Sequence, residues 1–144
     1  DGTVKERLSE CPLLATAELE AQVEEINLSA TINSASDEKY SIHNPTLTLT
    51  NAGRSTVNDL VFDIELWRSN QLITLETDVL YLSGTNSINS IPPEESTKGY
   101  LNLFIYDGNT QNFGAGTYTL KLMIRKGASA NPIATAEKIV QVSP

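Results

Sequence analysis

A chain of 144 residues, 40% hydrophobic and 19% charged, has the size and composition of one globular domain with a core of its own, which excludes a chain disordered throughout. Its 18 acidic against 10 basic side chains give a net charge of -8, which sets the surface against nucleic-acid phosphates and anionic lipid. No apolar run approaches the ~18 residues of a membrane helix, so direct membrane insertion is not expected either.

The first 25 residues read differently from the rest. Thr3-Val4-Lys5-Glu6 has the capping-box pattern, Val4, Leu8 and Cys11 follow at helical spacing, and Pro12 ends the run, which predicts a short helix. From Ala15 to Ile26 the spacing fits either a helix face (Ala15, Leu19, Val23, Ile26) or a strand face (Ala17, Leu19, Ala21, Val23), and the abundance of Ala, Glu, Leu and Gln favours helix. Glu10, Glu18, Glu20, Glu24 and Glu25 form a solvated face or a docking face for a basic partner. Asp1 to Arg7 lacks an export signal and the chain begins without methionine, as in a mature or trimmed protein whose signal or anchor has been removed; a recombinant fragment would look the same. Cys11 is the sole cysteine, so no internal disulfide is available to mark the compartment, and its expected role is a small half-buried hydrophobe.

From Ile26 onwards β-structure dominates. Ile26, Leu28, Ala30 and Ile32 alternate with polar residues in a first strand, followed by a polar loop from Ser34 to Lys39. Thr46 to Thr50 is a second strand, stopped by Asn51-Ala52-Gly53, where glycine is available for positive φ. Leu60–Arg68 and Gln71–Glu76 form a hairpin around Ser69-Asn70, with Asn70 the residue suited to the left-handed region. Val79 to Leu82 is a short strand or a continuation of the preceding one, and Thr85 to Thr97, with Pro92-Pro93, is a loop. Lys98–Tyr106, Thr117–Arg125 and Ile133–Val142 complete the set. In Thr117–Arg125 the residues Tyr118, Leu120, Leu122 and Ile124 share one face, and Gly114 and Gly116 allow a sharp corner to which Tyr118 bonds back. The expected organisation is a helical or extended segment, 1–25, and an all-β, immunoglobulin-like β-sandwich of about seven strands, 26–144.

Thr50-Asn51-Ala52-Gly53, Glu65-Leu66-Trp67, Ile91 to Ser96 and Gly116-Thr117-Tyr118-Thr119-Leu120 together resemble the CARDB-like modules of bacterial and archaeal surface proteins, over roughly Ile26 to Val142. The resemblance implies an immunoglobulin-like sandwich in an exported protein, associated with adhesion or envelope assembly. A helical lead-in followed by a sandwich is also similar to the extracytoplasmic domains of archaeal motility-filament stator proteins. An extracytoplasmic location is expected on that basis.

No constellation specifies a reaction, and no cofactor or metal is expected. His43 is the only histidine, so Ser-His or Cys-His chemistry would run through it with Ser41 or Cys11; beside Asn44-Pro45 it reads as a surface or strand-cap residue. Asp63 and Glu65, two apart on a strand, form a carboxylate pair or ordinary solvated charges. Asp107 to Asn112 is rich in oxygen ligands but lacks the spacing of an EF-hand, so a tight polar turn is the better explanation. Asn27-Leu28-Ser29 is a glycosylation sequon, which arises often by chance.

If Phe62, Ile64 and Leu66 face the core, Trp67 lies outside; likewise Leu101, Leu103 and Ile105 leave Tyr100, Phe104 and Tyr106 outside. Trp67, Tyr100, Phe104 and Tyr106 are therefore the candidate interaction residues, unless the N-terminal segment covers them or Trp67 folds into the core. The function read from the sequence is a noncatalytic module that binds a protein partner or another copy of itself, with a carbohydrate-binding module using the same aromatics as the alternative.

Overall fold

The computed structural model describes residues 26–35 and 39–144. The expected N-terminal helix, Cys11 and the glutamates between positions 10 and 25 lie outside the described residues. In chain order the strands are β1 (Leu28–Ser34), β2 (Ser41–His43), β3 (Thr46–Asn51), β4 (Leu60–Arg68), β5 (Gln71–Val79), β6 (Tyr81–Ser83), β7 (Asn86–Ser87), β8 (Glu95–Leu101), β9 (Phe104–Tyr106), β10 (Gly116–Lys126) and β11 (Pro132–Val142). They form a five-stranded sheet in the order β1-β3-β8-β6-β7, a four-stranded sheet in the order β11-β10-β4-β5, and a two-stranded ribbon β2-β9. The pairings are antiparallel, and the two sheets face each other as an all-β, immunoglobulin-like sandwich.

Period-2 patterning decides what fills the space between the sheets. Leu47 and Leu49 of β3, Phe62, Ile64 and Leu66 of β4, and Tyr118, Leu120, Leu122 and Ile124 of β10 all point inward and are buried. Each such side chain contributes about 1.5–3 kcal/mol by leaving water. Tyr81 of β6 and Tyr118 are the largest of the fully buried side chains among the described residues, and the Tyr81 ring lies tilted against Phe62 with centroids 5.1 Å apart. The Tyr81 hydroxyl donates one proton shared between the carbonyls of Leu47 and Thr97, at 3.2 and 3.1 Å, and burial pushes the phenol up to about 12. Gly99, opposite Leu47 on β8, leaves the room this ring occupies.

The structure departs from the sequence expectations in instructive places. The expected strand Lys98–Tyr106 is broken: Leu103 N–H closes a tight turn onto Leu101 C=O at 2.9 Å, and the chain leaves the large sheet to pair with β2 as β9. The expected loop from Thr85 to Thr97 holds β7, an isolated bridge between Val57 and Ile91, and the start of β8. At the hairpin it is Ser69, with φ of 54°, that takes the left-handed conformation, and Asn70 does not. Gly53 is not used for positive φ either. Instead its N–H donates to Asn51 Oδ1 at 2.9 Å, and Asn51, fully buried, donates to the carbonyls of Ser55 and Ile91, each at 2.9 Å. The turn is built by the asparagine side chain rather than by glycine backbone freedom.

Asp63 is a further correction, because it is not a solvated charge. It is 7% exposed and holds Arg125 in a two-point pair, with Nε to Oδ2 at 2.5 Å and Nη2 to Oδ1 at 3.2 Å, while Asp78 N–H donates to Oδ1 at 3.1 Å. Burial pushes the carboxyl up, but the Arg125 and Asp78 hydrogen bonds and the guanidinium charge outweigh it and hold it below its ordinary 3.8. A carboxyl depressed in the folded state stabilises the fold above its unfolded-state pKa, and that increment is lost as pH falls through the lower folded value. Asp63→Asn is therefore expected to lower stability at neutral pH and to flatten the acid limb below about pH 4 in urea melts. An unchanged acid limb in the variant would assign that limb to other carboxylates.

The strands β1 and β11 belong to different sheets and run side by side. Ile26, Asn27 and Leu28 share a hollow with Ile133 at one end, while at the other Tyr40 N–H donates to Ser143 C=O at 2.9 Å.

Candidate interaction surfaces

The corner before β10 is held by three residues. The Tyr118 hydroxyl donates to Gly114 C=O at 2.7 Å and accepts from Gly114 N–H at 3.0 Å, four residues back. The Arg68 guanidinium lies 4.9 Å over the Tyr118 ring and donates to Ala115 C=O. Gly116, with φ of 147°, passes beneath that guanidinium, in space where a Cβ would collide with it. These contacts make Gly116 and Tyr118 parts of the scaffold, and the rigid corner fixes where the β9–β10 connection leaves the sandwich.

The ribbon brings together three aromatic rings. His43 pairs with Phe104 and Ser41 with Tyr106, so these four side chains share one face while Ile42 and Ile105 are buried on the other. Phe104 stacks on Tyr106 with centroids 4.6 Å apart, and His43 meets Phe104 edge-on at 5.8 Å. Phe104 is 55% exposed, and Tyr40, just ahead of β2, is exposed too, with Lys39 Nζ 5.9 Å from its ring. Tyr40 has φ of 54°, a conformation that a bulky side chain rarely adopts and that the fold must hold in place. Asn109 locks the turn that follows: it accepts from Tyr106 N–H at 3.0 Å and donates to Phe104 C=O at 3.1 Å. The oxygen-rich stretch from Asp107 to Asn112 is thus a polar turn whose amide is committed internally.

The other two candidate aromatics lie elsewhere. Tyr100 opposes Thr46 on the outer face of the five-stranded sheet, because the chain turns away after Leu101. Trp67 lies on the outer face of the four-stranded sheet, donating through Nε1 to Glu65 at 2.8 Å, with Lys121 Nζ 5.1 Å over its ring. The four residues therefore occupy three surfaces, and only Phe104 and Tyr106 touch.

Beside Trp67 the structure adds residues that the sequence pattern missed. A bulge between the Leu66–Thr74 and Trp67–Leu72 pairs makes Ile73 an extra residue of β5, packed against the core. Strict alternation would put Leu72 and Leu75 on opposite faces, and the bulge turns both outward, opposite Trp67 and Glu65. They are 42% and 49% exposed.

The residues read as possible chemistry do not converge. Ser41 is buried, two residues from His43 on the same strand, Asp63 is committed to Arg125, and Cys11 is outside the described residues. Among the described residues no three of His, Cys, Asp and Glu gather where a metal ion could sit, and no helix is long and apolar enough to cross a membrane. Asn27 of the sequon is exposed ahead of β1.

The strand order and the corner define the class as an immunoglobulin-like sandwich. No family model and no curated protein matches the sequence. Among solved structures, the chain is similar to the CARDB domain of a Pyrococcus furiosus protein, at 15% identity and a TM-score of 0.49, covering 83% of this chain and 97% of that one. It is similar to the archaellum periplasmic stator protein FlaG of Sulfolobus acidocaldarius at 19% identity and a TM-score of 0.39, covering 78% of this chain and 99% of that one. It is also similar to part of the alkylpurine DNA glycosylase AlkC of Pseudomonas fluorescens, at 14% identity and a TM-score of 0.50, covering 84% of this chain and 31% of the enzyme. Both resemblances read in the sequence have counterparts here. At such identities the likeness to the glycosylase concerns the fold and carries no activity across.

Proposed function

We propose that residues 26–144 form a noncatalytic, extracytoplasmic interaction module that docks a protein partner in a cell-surface or envelope assembly through the aromatic face of the β2-β9 ribbon. The observation that carries this reading is the exposed ring of Phe104, pre-stacked on the half-buried Tyr106 and met edge-on by His43. Aromatic side chains held by stacking lose little conformational freedom on binding and bury large apolar area, which is why they dominate interface energetics. The extracytoplasmic setting is supported by the sequence resemblance to exported surface modules. Sugar rings stack on exposed aromatic faces too, so a glycan on the same ribbon is the second reading, favoured by the open ring of Phe104.

The test is binding of the purified, labelled chain to envelope preparations of its source organism. Saturable binding is expected, weakened about tenfold or more by Phe104→Ala, with the thermal unfolding midpoint of the variant unchanged because that ring is outside the core. Loss of binding after protease treatment of the envelopes supports the protein partner, and loss after periodate oxidation assigns the glycan. Equal binding by wild type and variant, or no saturable binding, removes the ribbon as the docking site.

A further inference from the structure

The two outer faces of the sandwich are chemically unlike. On the five-stranded sheet the outer face, around Tyr100 and Lys98, is dominated by hydroxyls and amides: Ser34 bonds Thr46, Asn33 bonds Thr48, and Thr50 bonds Ser96, at 2.6, 2.6 and 2.8 Å. The four-stranded sheet presents a continuous row instead. Register places Ile139 of β11 beside Thr119 of β10, Thr119 beside Trp67 of β4, and Trp67 beside Leu72 of β5, so the row crosses the full width of the sheet. Ile139 is 68% exposed, the most exposed of the large hydrophobic side chains among the described residues. The next row reads Glu137, Lys121, Glu65 and Leu75, with Lys121 Nζ 4.0 Å from Glu137.

We infer that this face docks a second copy of the chain, face to face, about a twofold axis parallel to the strands and passing between β10 and β4. That axis sets Ile139 against Leu72 of the second copy and Thr119 against its Trp67, so the aliphatic ends of the row meet each other and each Trp67 ring meets a threonine. It also sets Lys121 against Glu65 of the second copy, and Glu65 against its Lys121, so the two central charges of that row are self-complementary, while Glu137 and Leu75 meet at its rim. The natural twist of the sheets allows such a packing with strands within about 30° of one another. Edge-to-edge pairing through β5 is the less suitable route, since its two register shifts break the regular ladder that a new strand would need. This inference goes beyond the ribbon reading and uses other residues, so either can fail alone.

Trp67 is the sole tryptophan, and its emission reports on the face directly. With the full chain, sedimentation and light scattering over a concentration series should show the mass rising from one protomer to two, with a blue shift of Trp67 emission over the same range. Ile139→Arg, at a residue outside the core, should weaken the dimer about tenfold or more while the chain stays folded. Lys121→Glu and Glu65→Lys should each weaken it, and the double swap should restore it. Phe104→Ala should leave the dimer intact. A chain that remains one protomer up to about 1 mM overturns the inference. A dimer that survives Ile139→Arg, disappears on Phe104→Ala, or is not restored by the folded double swap overturns it as well.

Discussion

Asn51→Ala is expected to destabilise the fold by about 3 kcal/mol, a large share of the 5–15 kcal/mol typical of a domain this size. The asparagine is fully buried at the end of β3 and makes three hydrogen bonds, to Gly53 N–H and to the carbonyls of Ser55 and Ile91. Two of those partners belong to its own turn, and the third lies 40 residues away, bridged to Val57 ahead of β8. Alanine leaves the buried Gly53 N–H without its acceptor, which costs more than an unmade surface bond. Asn51→Asp separates the two roles of the amide. A carboxylate still accepts from Gly53 but cannot donate to either carbonyl, so this variant should lose stability too, and more above the carboxyl pKa than below it. Urea melts of the three proteins over a range of pH measure this, and a loss below about 1 kcal/mol for Asn51→Ala would show that water replaces the side chain at little cost.

The second large effect is expected at Gly99. A Cβ there falls onto the backbone carbonyl of Leu82 and within 3.1 Å of the Tyr81 ring. Neither is the free end of a flexible side chain, so the strand itself must give. Gly99→Ala should push β6 away from β8, breaking the Leu82–Tyr100 pairing and displacing the phenol shared between Leu47 and Thr97. Overpacking of this kind costs about 1–3 kcal/mol. Two readouts identify the mechanism: limited proteolysis should cut the loosened β6-β7 turn around Gly84, and ultraviolet titration should find Tyr81 ionising closer to the ordinary 10.0. A variant with wild-type proteolysis and titration would mean that the backbone shifts by a few tenths of an ångström without releasing β6.

How much of this was legible in the sequence depends on the range of the interaction that fixes each feature. The strands β4 and β10 are readable because their alternation is uninterrupted and one face is wholly apolar. The break after Leu101 is not, since Leu103 and Ile105 continue the same alternation while the backbone has changed partners. Nor does the sequence announce the bulge at Ile73, which arises from registering β5 on β4 and which alone brings Leu72 and Leu75 to the same side as Trp67. Asp63 reads as a surface charge because its partner, Arg125, is 62 residues away. The candidate aromatics were identifiable one by one as outward residues, but their distribution over three surfaces follows from sheet membership, which periodicity does not encode.

The neighbouring strands β1 and β11 have a mechanical consequence. Among the described residues the chain enters its first strand, β1, beside Ile133 and leaves its last, β11, beside Tyr40, at opposite ends, with the two strands running the same way. Tension applied through the two ends pulls along the strands, so the contacts between β1 and β11 are loaded in shear and must yield together rather than opening one pair at a time. A domain threaded this way transmits force along its length, and copies of it joined end to end would extend as a line rather than fold back on themselves.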